Sequence, residues 1–105
     1  VSILIGSLAT EGDKQIDNSE YVKYAINYLG RHYDITKLKY YNSKGSWYSD
    51  NLNKVIIESI TIVTLTKKEL TEIDINIFID LANNIKHMMK QEGVSIAINT
   101  ALAIV

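Results

Sequence analysis

From Ile35 to Thr66 the chain reads ITKLKYYNSKGSWYSDNLNKVIIESITIVTLT. Two runs rich in β-branched and aromatic residues flank the polar stretch Ser49-Asp50-Asn51-Leu52-Asn53. That pattern predicts a β-hairpin whose loop is longer than the tightest two-residue type. In its first strand Leu38 and Tyr40 share one face, and Lys37, Lys39 and Tyr41 share the other. In its second strand, Val55 to Leu65, Ile56, Ile60 and Ile62 alternate on one side. Val55, Ile57, Val63 and Leu65 occupy the other. A strand apolar on both faces is expected mid-sheet, with both faces covered.

Outward from the hairpin, the N-terminal run Val1 to Ala9 reads as a buried strand with Gly6 inside it, where close backbone approach or a bulge is expected. Thr10 to Ile16 is a polar loop. Asp17-Asn18-Ser19-Glu20 marks a helix start, with Asp17 and Glu20 at capping-box spacing. Val22, Ala25, Ile26 and Leu29 form its inward stripe, flanked by Tyr21, Tyr24 and Tyr28, and Gly30 stands near its end. After the hairpin, Asp74 to Gln91 predicts a second helix. Phe78, Leu81, Ala82, Ile85, Met88 and Met89 face inward, Ile75 and Ile79 widen the stripe, and Gly93 suits the C-terminal cap. Val94 to Val105 reads as a last strand, with Ser95, Ala97, Asn99, Ala101 and Ala103 making a small, uncharged face.

The order β-α-β-β-α-β is the ferredoxin-like arrangement, an α+β fold. Right-handed crossovers then give a four-stranded antiparallel sheet with both helices on one face and the first and third strands central. The 105 residues suffice for one such domain, spanning residues 1–105. The other sheet face is left without a cover and carries apolar residues. Packing against a second copy through the sheet is the expected remedy.

Composition narrows the function classes. A net charge of −1 does not favour nucleic acid as a partner. The absence of Cys excludes disulfides and thiolate metal sites and fits a cytoplasmic protein. With two His, no metal site or cofactor is signalled. No apolar run reaches the ~18 residues of a membrane span. The sequence begins without a Met and suggests processing or trimming. Its Ile, Asn and Lys content suits a low-GC bacterium or its phage.

The hairpin supplies the site candidates. Tyr40, Tyr41, Trp47 and Tyr48 interleave with Lys37, Lys39, Lys44 and Lys54, a pattern that can stack flat ligands and hold anions. Glu58 interrupts an apolar strand, and carboxylates so placed cluster at functional sites, with Lys44, Lys39 or Arg31 as pairing cations. Arg31 and His32, after the first helix, could bind an anion or serve as a general base. The ligand-binding candidates are thus Trp47, Tyr40, Tyr48, Lys44, Glu58 and Arg31, and the catalytic candidates are Glu58 and His32. No glycine-rich phosphate loop, HExxH or nucleophile elbow is present.

Gly45-Ser46-Trp47, the turn from Ser49 to Asn53, and Glu58-Ser59-Ile60-Thr61-Ile62-Val63 together resemble a family of small bacterial proteins of unknown function. That family has a Gly-x-Trp step, a polar turn and a strand containing Glu. The resemblance implies the ferredoxin-like layout and raises Gly45, Trp47 and Glu58 as residues of interest. It carries no activity. The sequence therefore favours an oligomeric binding module for a small anionic or nucleotide-like ligand near the hairpin or a subunit boundary. The alternatives are a protein-interaction module, such as a phage-encoded inhibitor of a host protein, and a small enzyme using Glu58 as acid or base.

Overall fold

The computed structural model describes residues 1–7, 16–91, 93–98 and 101–105, with the backbone alone for 101–104. The chain forms β1 (Ser2–Ile5), α1 (Ser19–Gly30), a 3-10 turn (Ile35–Lys37), β2 (Leu38–Ser49), β3 (Lys54–Leu65), α2 (Glu72–Met89), β4 (Ser95–Ile98) and β5 (Ala101–Ile104). The sheet order is β2-β3-β1-β4-β5, with every neighbouring pair antiparallel. Its first four strands and two helices are the α+β, ferredoxin-like arrangement expected, with β1 and β3 inside the sheet.

Register explains how the layers meet. Ile3 faces both Val63 and Ile96, and Leu38 faces Leu65, so these side chains share one face. That face packs on Ala25 and Leu29 of α1 and on Phe78, Leu81, Ala82, Ile85 and Met89 of α2. Most of these residues are fully buried, and their removal from water is the main stabilising term for the domain.

Several expectations change. The last run, Val94 to Val105, is two strands, not one. Ser95 faces Ile104 and Ile98 faces Ala101 across this antiparallel pair, and residues 99–100 lie outside the described residues. Asn99, a turn-favouring residue type inside an apolar run, was the available signal. Ser95 and Ala97 lie on the uncovered face as expected, opposite Leu4 and Ser2. The part of that face assigned to Asn99, Ala101 and Ala103 falls on side chains outside the description.

The helix ends also differ. Asn18, not Asp17, is the N-cap of α1, and its side chain makes no cap bond. Asp17 instead accepts from the Ser19 backbone N–H at 2.9 Å and from the Ser19 hydroxyl, so the expected box with Glu20 is replaced by a local turn. α2 begins two residues earlier than expected, because Thr71 and Asp74 form a complete capping box. It ends at Lys90, which takes the left-handed conformation (φ 52°) that Gly93 was expected to supply. Met88 is exposed, leaving Met89 as the core member of that pair.

Finally, β3 is not covered on both faces along its length. β1 pairs only with Thr61 to Thr64, while β2 pairs with all of β3. The hairpin therefore extends beyond the helices as a two-stranded arm, leaving Val55 63% and Ile57 68% exposed. No helix among the described residues is long and apolar enough to cross a membrane.

Candidate functional site

The sheet face away from the helices brings together residues that the sequence singled out separately. Gly45 lies directly across from Glu58, and Trp47 across from Ile56, so Gly45, Trp47 and Glu58 share this face. The Trp47 indole N–H donates to Glu58 Oε1 at 3.0 Å. The Ser7 backbone N–H donates to Glu58 Oε2, also at 3.0 Å. Ser7, just beyond the end of β1, is itself tied by its hydroxyl to the Ser59 carbonyl at 2.6 Å. One carboxylate is thus held from β2 and from the segment just after β1, and its two described partners are N–H groups. The expected cations do not take this role. Lys44 faces Ser59, on the opposite sheet face, and strand alternation keeps it away from Glu58.

Two glycines border the carboxylate for different reasons. A Cβ at Gly6 would lie 2.7 Å from Glu58 Oε2 and 3.0 Å from Gln91 Nε2, so the carboxylate occupies the space a side chain would need. A Cβ at Gly45 would meet only Ile60, at 3.5 and 3.6 Å, which is ordinary contact. A side chain at Gly6 would have to displace the ends of Glu58 and Gln91, and one at Gly45 would not.

On the helix side of the hairpin, two open clefts adjoin. One, of about 460 Å³, is bordered by Ser7, Asn18, Asn42, Lys44, Ser59 and Thr61. The other, of about 420 Å³, lies between α1 and β2 and adds Lys23, Ile26 and Tyr40. They meet at a short polar chain. The Asn18 amide donates to the Ile5 and Gly6 carbonyls and to Thr61 Oγ1, all at 3.2 Å. The Thr61 hydroxyl donates to Asn42 Oδ1 at 3.0 Å. Asn18 therefore ties the start of α1 to the end of β1 rather than capping its own helix.

The candidates thus divide. Trp47 and Glu58 meet on one face, while Tyr40 and Lys44 line the clefts on the other. Tyr48 stands toward the hairpin tip, where its hydroxyl donates to Asn53, a residue with φ 53° in the turn. Arg31 and His32 lie beyond the far end of α1, about 18 Å along the helix from its start. There the His32 ring lies between those of Tyr28 and Tyr33, tilted to both, with centroids at 5.5 and 6.3 Å. Among the described residues, no three His, Cys, Asp or Glu side chains lie close enough to hold a metal ion.

A second polar hub escaped the sequence reading. Asp74 is 3% exposed and accepts from Lys67 Nζ at 2.8 and 3.1 Å, the Tyr33 hydroxyl at 2.7 Å, and the Thr71 backbone N–H and hydroxyl at 2.8 and 3.0 Å. The Lys67 ammonium first, then the Thr71 N–H, hold its carboxyl well below the usual carboxylate range. Burial first, then the bond to Asp74, pushes Tyr33 well above the usual phenol range. Only the Thr71-Asp74 capping spacing announced it, because Tyr33 and Lys67 join from distant sequence.

No family model and no curated protein matches the chain. Two solved structures do. One is a phage SAM lyase in its apo state, with a TM-score of 0.69 and 20% identity. The other is a phage SAM lyase in complex with S-methyl-5'-thioadenosine, with a TM-score of 0.71 and 19% identity. Each match covers 99% of this chain and 85% of the other. The likeness is one of fold. It spans the whole β-α-β-β-α-β arrangement.

Proposed function

We propose that this chain binds S-adenosylmethionine (SAM) and cleaves it as a lyase, releasing S-methyl-5'-thioadenosine. What supports the reading is the pairing of a carboxylate with an indole, Glu58 with Trp47, on a fold shared over nearly the whole chain with a phage SAM lyase. SAM carries two positive groups, an ammonium and a sulfonium. A fixed carboxylate suits the ammonium, and an aromatic face suits the sulfonium.

The chemistry asks little of the protein beyond placement. The bond between sulfur and the γ-carbon breaks, and its electron pair moves to sulfur. A carboxylate oxygen of the substrate itself bonds to that carbon, giving a neutral thioether and a lactone. No proton moves, and no water or second reactant enters. Opposite charges disappear as the bond breaks, so a site that excludes water favours the step. Glu58 holds the ammonium, which keeps its charge throughout, and so sets the substrate carboxylate against the γ-carbon. This role replaces acid–base work for Glu58.

The uncovered face favours a further element. Tyr41 is 54% and Trp47 37% exposed on that face. A second copy packed there, burying ~800 Å² per partner, would exclude water from Glu58. Incubation of the purified chain with SAM, followed by chromatography, tests the reading directly. Release of methylthioadenosine is expected, and its absence in a protein of verified fold would overturn it. Light scattering tests the second copy, with a multimer expected and a monomer refuting it.

A further inference from the structure

Resting on that reading, we infer that Gly45 is the seat of the substrate's amino-acid arm. A glycine inside a strand weakens it, because it adds backbone freedom and packs nothing. Such a residue is retained where the backbone needs an unusual conformation, where a neighbour leaves no room, or where something must approach closely. The first two reasons fail here. Gly45 has no positive φ, and a Cβ would meet only Ile60 at ordinary contact distance. Close approach is the reason left.

The surroundings say what approaches. Gly45 faces Glu58 directly across the β2–β3 pair, with Trp47 the next residue on the same face of its strand. Each Glu58 oxygen has one described N–H donor, and a carboxylate oxygen accepts two bonds. The floor is therefore backbone, one wall is a carboxylate with acceptor capacity, and another is an indole. β2 is the edge strand of the sheet, so no neighbouring strand pairs with its outer edge. A small cationic group fits that chemistry, and a neutral nucleoside does not need it. The ammonium end of SAM lies over Gly45, and the nucleoside lies away from it.

Trp47 is the single tryptophan of the chain, so its emission reports ligand arrival at this position. Wild type, Gly45→Ala and Gly45→Val would be titrated with SAM and with methylthioadenosine, which lacks the amino-acid arm. Turnover, thermal melting and light scattering would accompany each titration. Both variants are expected to melt no lower than wild type and to keep its oligomeric state. SAM binding should weaken by about tenfold for Gly45→Ala and by more than a hundredfold, roughly, for Gly45→Val. Methylthioadenosine binding should be unchanged in both. Wild-type turnover in Gly45→Val would overturn the seat and leave the lyase reading standing. Equal loss of SAM and methylthioadenosine, or a changed oligomeric state, would also overturn it. If wild type neither binds nor cleaves SAM, the seat falls together with the reading beneath it.

Discussion

Asp74 and Glu58 are both carboxylates set among apolar neighbours, and they are held in opposite ways. Asp74 is 3% exposed and its oxygens are filled by a lysine, a tyrosine, a threonine hydroxyl and a backbone N–H. Glu58 is half-buried, has two described N–H partners, and faces a glycine. A saturated carboxylate has nothing left to offer a ligand, so it serves the fold. One that is fixed in place but keeps acceptor capacity is suited to a ligand.

The sharpest way to break that contrast is to exchange the expected phenotypes. Glu58→Gln keeps the shape of the side chain and removes its charge. SAM cleavage should fall by about two to three orders of magnitude, while denaturant midpoints move little. A large stability loss with retained turnover would reverse the assignment. Asp74→Ala should do the opposite. It leaves the Tyr33 hydroxyl and the Lys67 ammonium without their acceptor and removes half of the α2 capping box. Unfolding free energy should drop by about 3 kcal/mol, and turnover per folded molecule should stay near wild type.

Gly6→Ala sharpens the comparison between the two glycines. Its Cβ would press on Glu58 Oε2 from 2.7 Å. The carboxylate must shift, and a stability loss of about 1–2 kcal/mol is expected from the overpacking. Turnover should fall as well, because the shift disturbs the bonds to Trp47 and Ser7. Kinetics and melting measured together separate this double loss from the binding-only effect expected at Gly45.

The smallest effect is on pH. The Asp74 pKa is lowered in the folded state, chiefly by Lys67. Its stabilising contribution is therefore complete above the ordinary carboxylate value of about 3.9 and is lost progressively as pH falls below it. Tyr33 has a raised pKa, chiefly from burial. Its contribution is present below the ordinary phenol value of about 10 and is lost as pH rises above it. Stability measured against pH should fall off at both ends, and Asp74→Ala should flatten the acid limb. An unchanged acid limb would show that other carboxylates set it.

Much of this was legible in sequence. The hairpin turn, the apolar periods of both helices and the alternating strands are local patterns, and local patterns fix element type and order. Trp47 and Glu58 stood out because each breaks its own surroundings, a lone indole and a charge in an apolar run, and Gly45 stood out through the Gly-x-Trp resemblance. Their grouping was less visible. Lys44 and Arg31 were expected as pairing cations for Glu58, yet strand alternation puts Lys44 on the other face and α1 carries Arg31 to its far end.

The sequence by itself determined the α+β order, the faces that meet in the core and the residues worth attention. These follow from periodicity and from side-chain chemistry, which every residue carries with it. Only the tertiary structure decided that Trp47 and Ser7 clamp Glu58, that Gly6 makes room for it, and that Asp74 is saturated by Tyr33 and Lys67. The Ser7 and Tyr33 contacts join residues 51 and 41 positions apart. Which distant donors reach a given oxygen depends on strand register and helix placement, and those are set when the whole core packs.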